Sequence, residues 1–264
     1  MGITLCIRTV VPALFPFFIL SVILSNSLLG TKSTFLEKIC KLPKGAASLL
    51  LVGLLSGYPV GAQLVAQAYA DGNLSRKAAQ RMLGFCSNAG PAFLFGMLAA
   101  QFEKWYIPWL LWSIHICGAL LAGIILPSDT RDTCKIQSVS RINLTTAINH
   151  SIRSICTVCA WVILFRMIIS FCQSWFFWRF PIFIQVLFSG ILELSNGCVM
   201  LHKIPSEGLR FILAGFFLSF GGICVLMQTR SVTGNLGLGR YFPGKLIQCV
   251  FTVICCCLLQ YMIY

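Results

Sequence analysis

Eight apolar stretches, separated by short polar connections, constrain the fold of this 264-residue chain more than any other feature. A helix needs about 20 apolar residues to cross a bilayer, and all eight stretches have that length. Hydrophobic residues make up 58% of the sequence and charged residues only 10%, where a soluble domain carries about 25% charge. We therefore predict an all-α polytopic membrane protein. The stretches are 6–29, 46–70, 82–101, 106–126, 150–176, 181–201, 208–229 and 243–263.

The distribution of basic residues indicates which stretches cross the membrane. The net charge of +13 is spread over short connections, which favours orientation in a membrane and contact with anionic lipids over nucleic-acid binding. If all eight stretches cross, nine Lys and Arg residues lie on one side and eight on the other. If 46–70 and 181–201 are re-entrant hairpins, the count becomes thirteen against four. We therefore predict six spans and two hairpins, with both termini outside.

This arrangement assigns each basic loop residue to one side of the membrane. The thirteen inner residues are Lys32, Lys38, Lys41, Lys44, Arg76, Lys77, Arg81, Arg131, Lys135, Arg141, Arg230, Arg240 and Lys245. The four outer residues are Lys104, Arg179, Lys203 and Arg210. Arg8, Arg153 and Arg166 fall inside predicted spans and belong to neither group.

The predicted topology divides a single membrane domain, 1–264, into two halves related by an inverted repeat. Each half has three transmembrane helices and one re-entrant helical hairpin, an arrangement typical of secondary transporters. Weak internal matches, such as Arg8 with Arg153, support the repeat. The first half is 1–128 with its hairpin at 46–70, a cytoplasmic linker covers 129–148, and the second half is 149–264 with its hairpin at 181–201.

Four polar interruptions lie in the two predicted hairpins and in the span that follows each of them. Proline cannot donate a backbone hydrogen bond, and in hydrocarbon an opened backbone is stable only where protein or a wet cavity covers it. Half-helix N-termini also favour an anionic or polar ligand. One such break can be a packing kink, but four at matching places favour a solute site. The interruptions are 56–63, 87–91, 193–197 and 219–222.

Two ionisable residues inside predicted membrane segments are candidates for function. Glu193 is the only acid in such a segment, where a charged group is costly and is a functional candidate by default. It would bind a cation, carry a proton or accept hydrogen bonds from a ligand; the alternative is an interfacial position near the hairpin mouth. Arg166 would pair with Glu193, or with a carboxylate or phosphate of the solute. A purely structural ion pair is the other interpretation.

The predicted substrate-binding residues combine small polar side chains with positions that open the backbone. Hydroxyl, amide and charged groups would contact the ligand, while glycine and proline would free backbone carbonyls. They are Ser56, Gly57, Tyr58, Pro59, Gly61, Gln63, Ser87, Asn88, Gly90, Pro91, Arg166, Glu193, Ser195, Asn196, Gly197, Ser219, Gly221, Gly222 and Gln228.

Enzymatic chemistry has little support in this sequence. It contains no Ser-His, Cys-His or His-Glu-x-x-His arrangement, so we predict no catalytic residue, no metal site and no cofactor apart from a coupling Na⁺ or H⁺. Most of the fourteen cysteines lie in apolar stretches and are predicted to pack as small hydrophobes. His115 is predicted to be a hydrogen-bonded buried residue rather than a catalytic one.

Several motifs resemble one family of membrane proteins. They are Ser-Gly-Tyr-Pro-Val-Gly-Ala at 56–62, Gly-Asn-Leu-Ser at 72–75, Phe-Cys-Ser-Asn-Ala-Gly-Pro at 85–91, Glu-Leu-Ser-Asn-Gly at 193–197, and Phe-Gly-Gly at 220–222 with Gln228. The chain resembles the YlbJ-like sporulation integral membrane proteins, which carry a Gate or nucleoside-recognition domain. That domain is distantly similar to the core of concentrative nucleoside transporters, whose hairpins and unwound helices hold nucleoside and cation.

The resemblance implies a bacterial inner-membrane protein that is linked to spore formation. Together with the breaks, it favours a transporter or permease that moves a small polar, nucleoside-like solute through a midplane site by alternating access. The alternative is a non-transporting membrane scaffold or assembly protein of the developing spore, whose basic inner face docks a partner or anionic lipid. In either case we expect membrane lipids, and not nucleic acid, as partners. Both hypotheses are compatible with a homo-oligomer.

Overall fold

The structure is a computed structural model that describes residues 2–28, 33–128 and 143–264. All regular elements in these residues are helices, which confirms the all-α prediction. Part of the predicted linker, 129–142, lies outside the described residues. Four of the basic residues counted above also lie outside them: Lys32, Arg131, Lys135 and Arg141.

The described residues form fourteen α-helices, with short π and 3₁₀ segments between some of them. The α-helices are α1 (Gly2–Leu5), α2 (Val11–Leu28), α3 (Thr34–Ile39), α4 (Ala47–Ser56), α5 (Val60–Ala70), α6 (Arg76–Cys86), α7 (Pro91–Phe93), α8 (Ile107–Ile125), α9 (Leu144–Trp175), α10 (Ile182–Leu192), α11 (Leu194–Met200), α12 (Glu207–Phe220), α13 (Gly222–Thr233) and α14 (Tyr241–Ile263). The π segments are Cys6–Val10 and Leu94–Leu98, and the 3₁₀ segments are Ala99–Gln101, Phe177–Arg179, Leu201–Lys203 and Gly234–Leu236.

Within the described residues, six helical segments are long and apolar enough to cross a membrane, which confirms the predicted number of spans. Large apolar side chains such as Trp175, Leu258 and Met262 are exposed on their outer faces, and this surface suits lipid rather than water. The segments are Gly2–Leu24, Arg76–Gln101, Ile107–Ile125, Leu144–Trp175, Glu207–Leu236 and Tyr241–Ile263.

Two apolar helices, α4 and α10, are too short to span a bilayer, and each is followed by a second helix packed against it. Helix α5 begins after a three-residue break, and α11 begins directly after Glu193. Between α4 and α5 the packing requires Gly53 and Gly61, because a methyl group on either residue would overlap the carbonyl oxygen of Cys86. These pairs coincide with the predicted hairpins at 46–70 and 181–201.

Contacts between α6 and α14 join the two halves of the sequence. Gly84 in α6 and Gly244 in α14 lie in direct backbone contact, since a methyl group on Gly244 would overlap Gly84. Small residues allow this close approach of two helices in a membrane protein. The contact brings the first turn of α14 beside the break that follows α6.

Two of the thirteen basic residues assigned to inner loops are instead buried within helices. Arg81 is 4% exposed and Lys245 is 1% exposed. The loop assignment was wrong for both: Arg81 lies within α6, and Lys245 lies within α14 and inside the apolar stretch 243–263. The Arg81 guanidinium donates to four backbone carbonyl oxygens, those of Cys40, Lys41, Gly123 and Leu126.

Candidate functional site

The break after α4 and the break after α6 touch each other. Gly57 ends α4 with φ +83°, in the left-handed region that glycine adopts without steric cost. A methyl group on Gly57 would lie 2.9 Å from the backbone nitrogen of Gly90, and one on Gly90 would lie 2.9 Å from the Cα of Gly57. The two breaks therefore form one continuous region of irregular backbone.

The breaks in the second half of the chain meet in a similar way. Glu193 separates α10 from α11 with an extended backbone, while Gly221 and Gly222 separate α12 from α13 with φ +79° and +80°. A methyl group on Gly222 would lie 3.1 Å from the carbonyl oxygen of Gly190, near the end of α10. Both the backbone conformation and the close contact with Gly190 therefore disfavour a side chain at Gly222.

Tyr58 connects the two pairs of breaks. It lies in the break between α4 and α5, and its hydroxyl donates to the carbonyl oxygen of Leu218 at 3.4 Å, near the end of α12. A methyl group on Gly221 would lie 3.1 Å from the same hydroxyl. All four predicted interruptions therefore converge on one region of the protein.

The converging breaks enclose a cavity of about 40 Å³. Four polar side chains line it, Ser56, Glu193, Ser195 and Gln228, and each is at most 6% exposed. The hydroxyl of Ser56 is buried and has no hydrogen-bond partner among the described residues. Apolar side chains complete the wall: Leu14, Phe18, Phe93, Val158, Val162 and Val225.

The size of this cavity limits what it holds in the conformation described. A volume of about 40 Å³ has room for a few water molecules, whereas pockets for drug-sized ligands measure about 300–1,000 Å³. A solute the size of a nucleoside would enter only after the surrounding helices separate. In this conformation the cavity is therefore too small for such a solute.

Glu193 contributes its carboxylate to both the cavity and the start of α11. One carboxylate oxygen accepts from the backbone N–H of Ser195 at 2.9 Å, and the other accepts from that of Asn196 at 2.7 Å. A negative charge at a helix N-terminus is stabilised by the unpaired N–H groups and the helix dipole. With 1% exposure, the carboxylate lies inside the protein and not at its surface.

Arg166 and Asn196 lie against a different cavity. The Arg166 guanidinium donates to the side-chain oxygen of Asn196, whose buried side-chain nitrogen has no partner among the described residues. Both residues line an opening of about 290 Å³ together with His202 and Lys203. The structure therefore joins Arg166 to the third break through an amide.

Asn88, in the second break, belongs to a separate buried polar cluster. Its side-chain oxygen accepts from the Lys245 ammonium at 3.2 Å and from the Gln248 amide at 3.0 Å. The Gln248 amide also donates to the carbonyl oxygen of His115 at 3.0 Å, and the Lys245 ammonium donates to the Gln248 side-chain oxygen at 2.9 Å. The four side chains are at most 1% exposed.

Lys245 and Gln248 were missing from the predicted site. The available signal was their spacing, because residues three apart lie on one face of a helix and both are polar in an apolar span. Lys245 was assigned to the preceding loop, so this signal was missed. For His115, the neutral ring nitrogen Nε2 accepts from the backbone N–H of Ala89 at 3.2 Å, as a hydrogen-bonded buried residue should.

The structure brings seven of the nineteen predicted residues to the wall of the 40 Å³ cavity. They come from all the breaks except the 219–222 interruption, with Gln228 contributed by the helix that follows it. These residues are Ser56, Gly57, Tyr58, Gly90, Glu193, Ser195 and Gln228.

The other twelve predicted residues do not line this cavity. Gln63 is exposed in a groove on the protein surface. The Ser219 hydroxyl donates to the carbonyl oxygen of Gly215 one turn earlier. Gly197 packs so tightly against Gly190 that a side chain has no room. The twelve are Pro59, Gly61, Gln63, Ser87, Asn88, Pro91, Arg166, Asn196, Gly197, Ser219, Gly221 and Gly222.

Six apolar spans and a buried polar centre built from interrupted helices define a multi-pass, all-helical membrane protein. The chain is similar to the sporulation integral membrane protein YlbJ of Bacillus subtilis (strain 168), with 24% identity over 303 aligned residues. The alignment covers 96% of this chain and 74% of that relative, and it confirms the resemblance to the YlbJ-like proteins. No family model and no solved structure matches the chain.

Proposed function

We propose that this protein is a solute transporter or permease of the Gate type, which moves a small polar solute across the cytoplasmic membrane of a sporulating bacterium. Three helix interruptions line one buried polar cavity and the fourth contacts it through Tyr58, and this convergence carries the proposal. Discontinuous helices that meet inside a membrane are the usual way in which transporters build solute sites. The association with sporulation comes from the similarity to YlbJ.

The membrane path follows from the lengths of the helices. We propose that the pairs α4–α5 and α10–α11 enter and leave on the same side as re-entrant hairpins, because neither α4 nor α10 reaches span length. Each hairpin then precedes a span with a break, as an inverted repeat of two halves requires. The cavity would lie near the midplane, between the tips of the hairpins.

The chemistry of the cavity favours a polar solute with hydrogen-bond donors and acceptors, such as a nucleoside-like compound. Among the described residues, the Ser56 hydroxyl has no hydrogen-bond partner, and the amide nitrogen of Gln228 donates to the sulfur of Cys224 at 3.3 Å. A buried polar group without a partner costs free energy, so a ligand that pairs with it gains that amount on binding. Alternating access supplies the opening that the closed cavity requires.

Uptake into proteoliposomes tests this proposal. Radiolabelled uridine, uracil and alanine serve as probes, and the variants are Ser56→Ala and Gln228→Ala. Removing one hydrogen-bonding partner costs about 1 kcal/mol or somewhat more, so the initial rate should fall about tenfold with the affected probe. Gln63→Ala is the matched control, because Gln63 is exposed in a groove on the protein surface, and it should leave the rate unchanged. Uptake no higher than in empty liposomes for every probe would reject transport, and native rates in both cavity variants would reject this cavity as the solute site.

A scaffold role is the second candidate, and one observation favours it. Exposed Lys41, Lys77 and Arg240 surround an open cavity of about 360 Å³ at the ends of α6 and α14. Basic surface of this kind attracts anionic lipid headgroups or an acidic partner. Arg81 also lines this cavity, but its guanidinium is largely buried and donates to backbone carbonyl oxygens. A Lys77→Glu, Arg240→Glu double variant should lose a partner that the native protein retains on affinity purification from sporulating cells.

A further inference from the structure

The cluster around Asn88 contains a buried positive charge without a negative partner. The Lys245 ammonium donates to the side-chain oxygens of Asn88 and Gln248, and among the described residues it forms no ion pair with a carboxylate. The rings of Tyr58 and Tyr241 lie 5.1 and 5.9 Å from its nitrogen, and the negative faces of aromatic rings attract cations. The two hydrogen-bond acceptors and the two aromatic rings are therefore all neutral, electron-rich groups.

The position of this charge is one that suits a bound cation. Asn88 follows the C-terminal end of α6, where the helix dipole is negative. In discontinuous-helix transporters, half-helix C-termini and nearby oxygens hold the coupling ion. Here the amide oxygens that would serve as ligands are already hydrogen-bonded to a lysine. A lysine ammonium is a compact point charge with three donors, so it can substitute for a monovalent ion.

We propose that the Lys245 ammonium occupies a monovalent-cation position at the break after α6, so that the native protein binds no sodium ion there. The Gly84–Gly244 contact fixes this arrangement, because it brings α14 close enough for the side chain to reach Asn88. The consequence for coupling rests on the proposed transport function: solute movement would not depend on a sodium gradient.

Thermal unfolding of the purified protein in detergent tests the inference without any transported solute. Tm is measured by tryptophan fluorescence in sodium chloride, lithium chloride and choline chloride at equal concentration. The native protein should have the same Tm in all three salts. Lys245→Ala removes the ammonium and leaves the oxygens of Asn88 and Gln248 free, so its Tm should be lower in choline and should rise by about 2–4 °C in sodium or lithium.

Two controls separate a cation position from a merely structural lysine. Lys245→Met fills the space with an apolar chain, so it should lose stability and show no response to sodium. Lys77→Ala removes an exposed lysine and should behave as the native protein does. A structural role alone predicts a lower Tm for Lys245→Ala with no difference between the salts, and that result would overturn the inference.

The native chain and Lys245→Arg keep the inference testable if Lys245→Ala does not fold. Arginine retains the positive charge, so this variant should fold and remain insensitive to sodium. A sodium-specific rise in Tm of the native protein would contradict the inference directly. Because these measurements need no solute, a failed uptake assay with the expected salt response would reject transport and leave the cation position intact.

Discussion

Replacing Glu193 by Gln tests how the buried carboxylate supports the centre of the protein. The native carboxylate accepts two backbone hydrogen bonds at the start of α11, from Ser195 and Asn196. Glutamine keeps one acceptor oxygen, while its amide nitrogen must face the other N–H group. Hydrogen bonds to charged groups contribute about 1.5–3 kcal/mol, and the favourable interaction with the helix dipole adds a few tenths.

We therefore expect Glu193→Gln to lower the free energy of unfolding by about 1.5–3 kcal/mol. For a chain of this size, each kcal/mol corresponds to about 2–4 °C in Tm, so the expected fall is about 3–12 °C. The assay is tryptophan fluorescence on heating in detergent. Glu103→Gln is the matched control, because Glu103 is exposed and its change should stay within about 0.5 kcal/mol.

The outcome separates two roles of the carboxylate. If both variants unfold at the native temperature, the two hydrogen bonds contribute nothing measurable and the reasoning from geometry is refuted. If Glu193→Gln is less stable but still folded at 20 °C, its uptake rate can be compared with the native rate below the transition. Lower uptake there would assign the carboxylate to the solute cavity as well as to the helix end.

Two further predictions concern packing and the buried guanidinium. Gly61→Ala places a methyl group against the carbonyl oxygen of Cys86, so overpacking should cost about 1–3 kcal/mol and lower Tm. A Tm equal to that of the native protein would show that α4 and α5 separate easily. Arg81→Met leaves four buried carbonyl oxygens without their donor, so it should lower Tm more than Arg76→Met at an exposed position. Arg81→Lys should not restore it, since an ammonium cannot reproduce the planar fork of donors; equal stability of native and lysine proteins would contradict this.

The sequence allowed the helices and their breaks to be predicted, because both depend on local properties. Apolar length alone left eight candidate spans, and the distribution of basic residues reduced them to six. Gly57, Pro59 and the pair Gly221–Gly222 mark breaks through backbone restrictions. The burial of individual basic residues was less accessible. Polar residues at a helix end read as loop until their partners are known, which is why Arg81 and Lys245 were misplaced.

The composition of the site depended on contacts that no local pattern contains. Asn88 and Lys245 are 157 positions apart and meet only because two glycine-bearing helices cross. The sequence also could not show where a serine hydroxyl points: Ser56 lines the cavity, whereas the Ser219 hydroxyl donates to its own helix. Residue type at a break predicted which segments converge, but the long-range packing determined which side chains line the cavity.

The hydrogen bond between Tyr58 and Leu218 affects how small a fragment of the chain can form the complete cavity. The cavity takes Ser56 from the first half of the chain and Glu193 from the second, and Tyr58 ties the two across the centre. Neither half can therefore present a complete set of polar groups by itself. Two separately expressed fragments should each lack the complete cavity and rebuild it only when they reassemble.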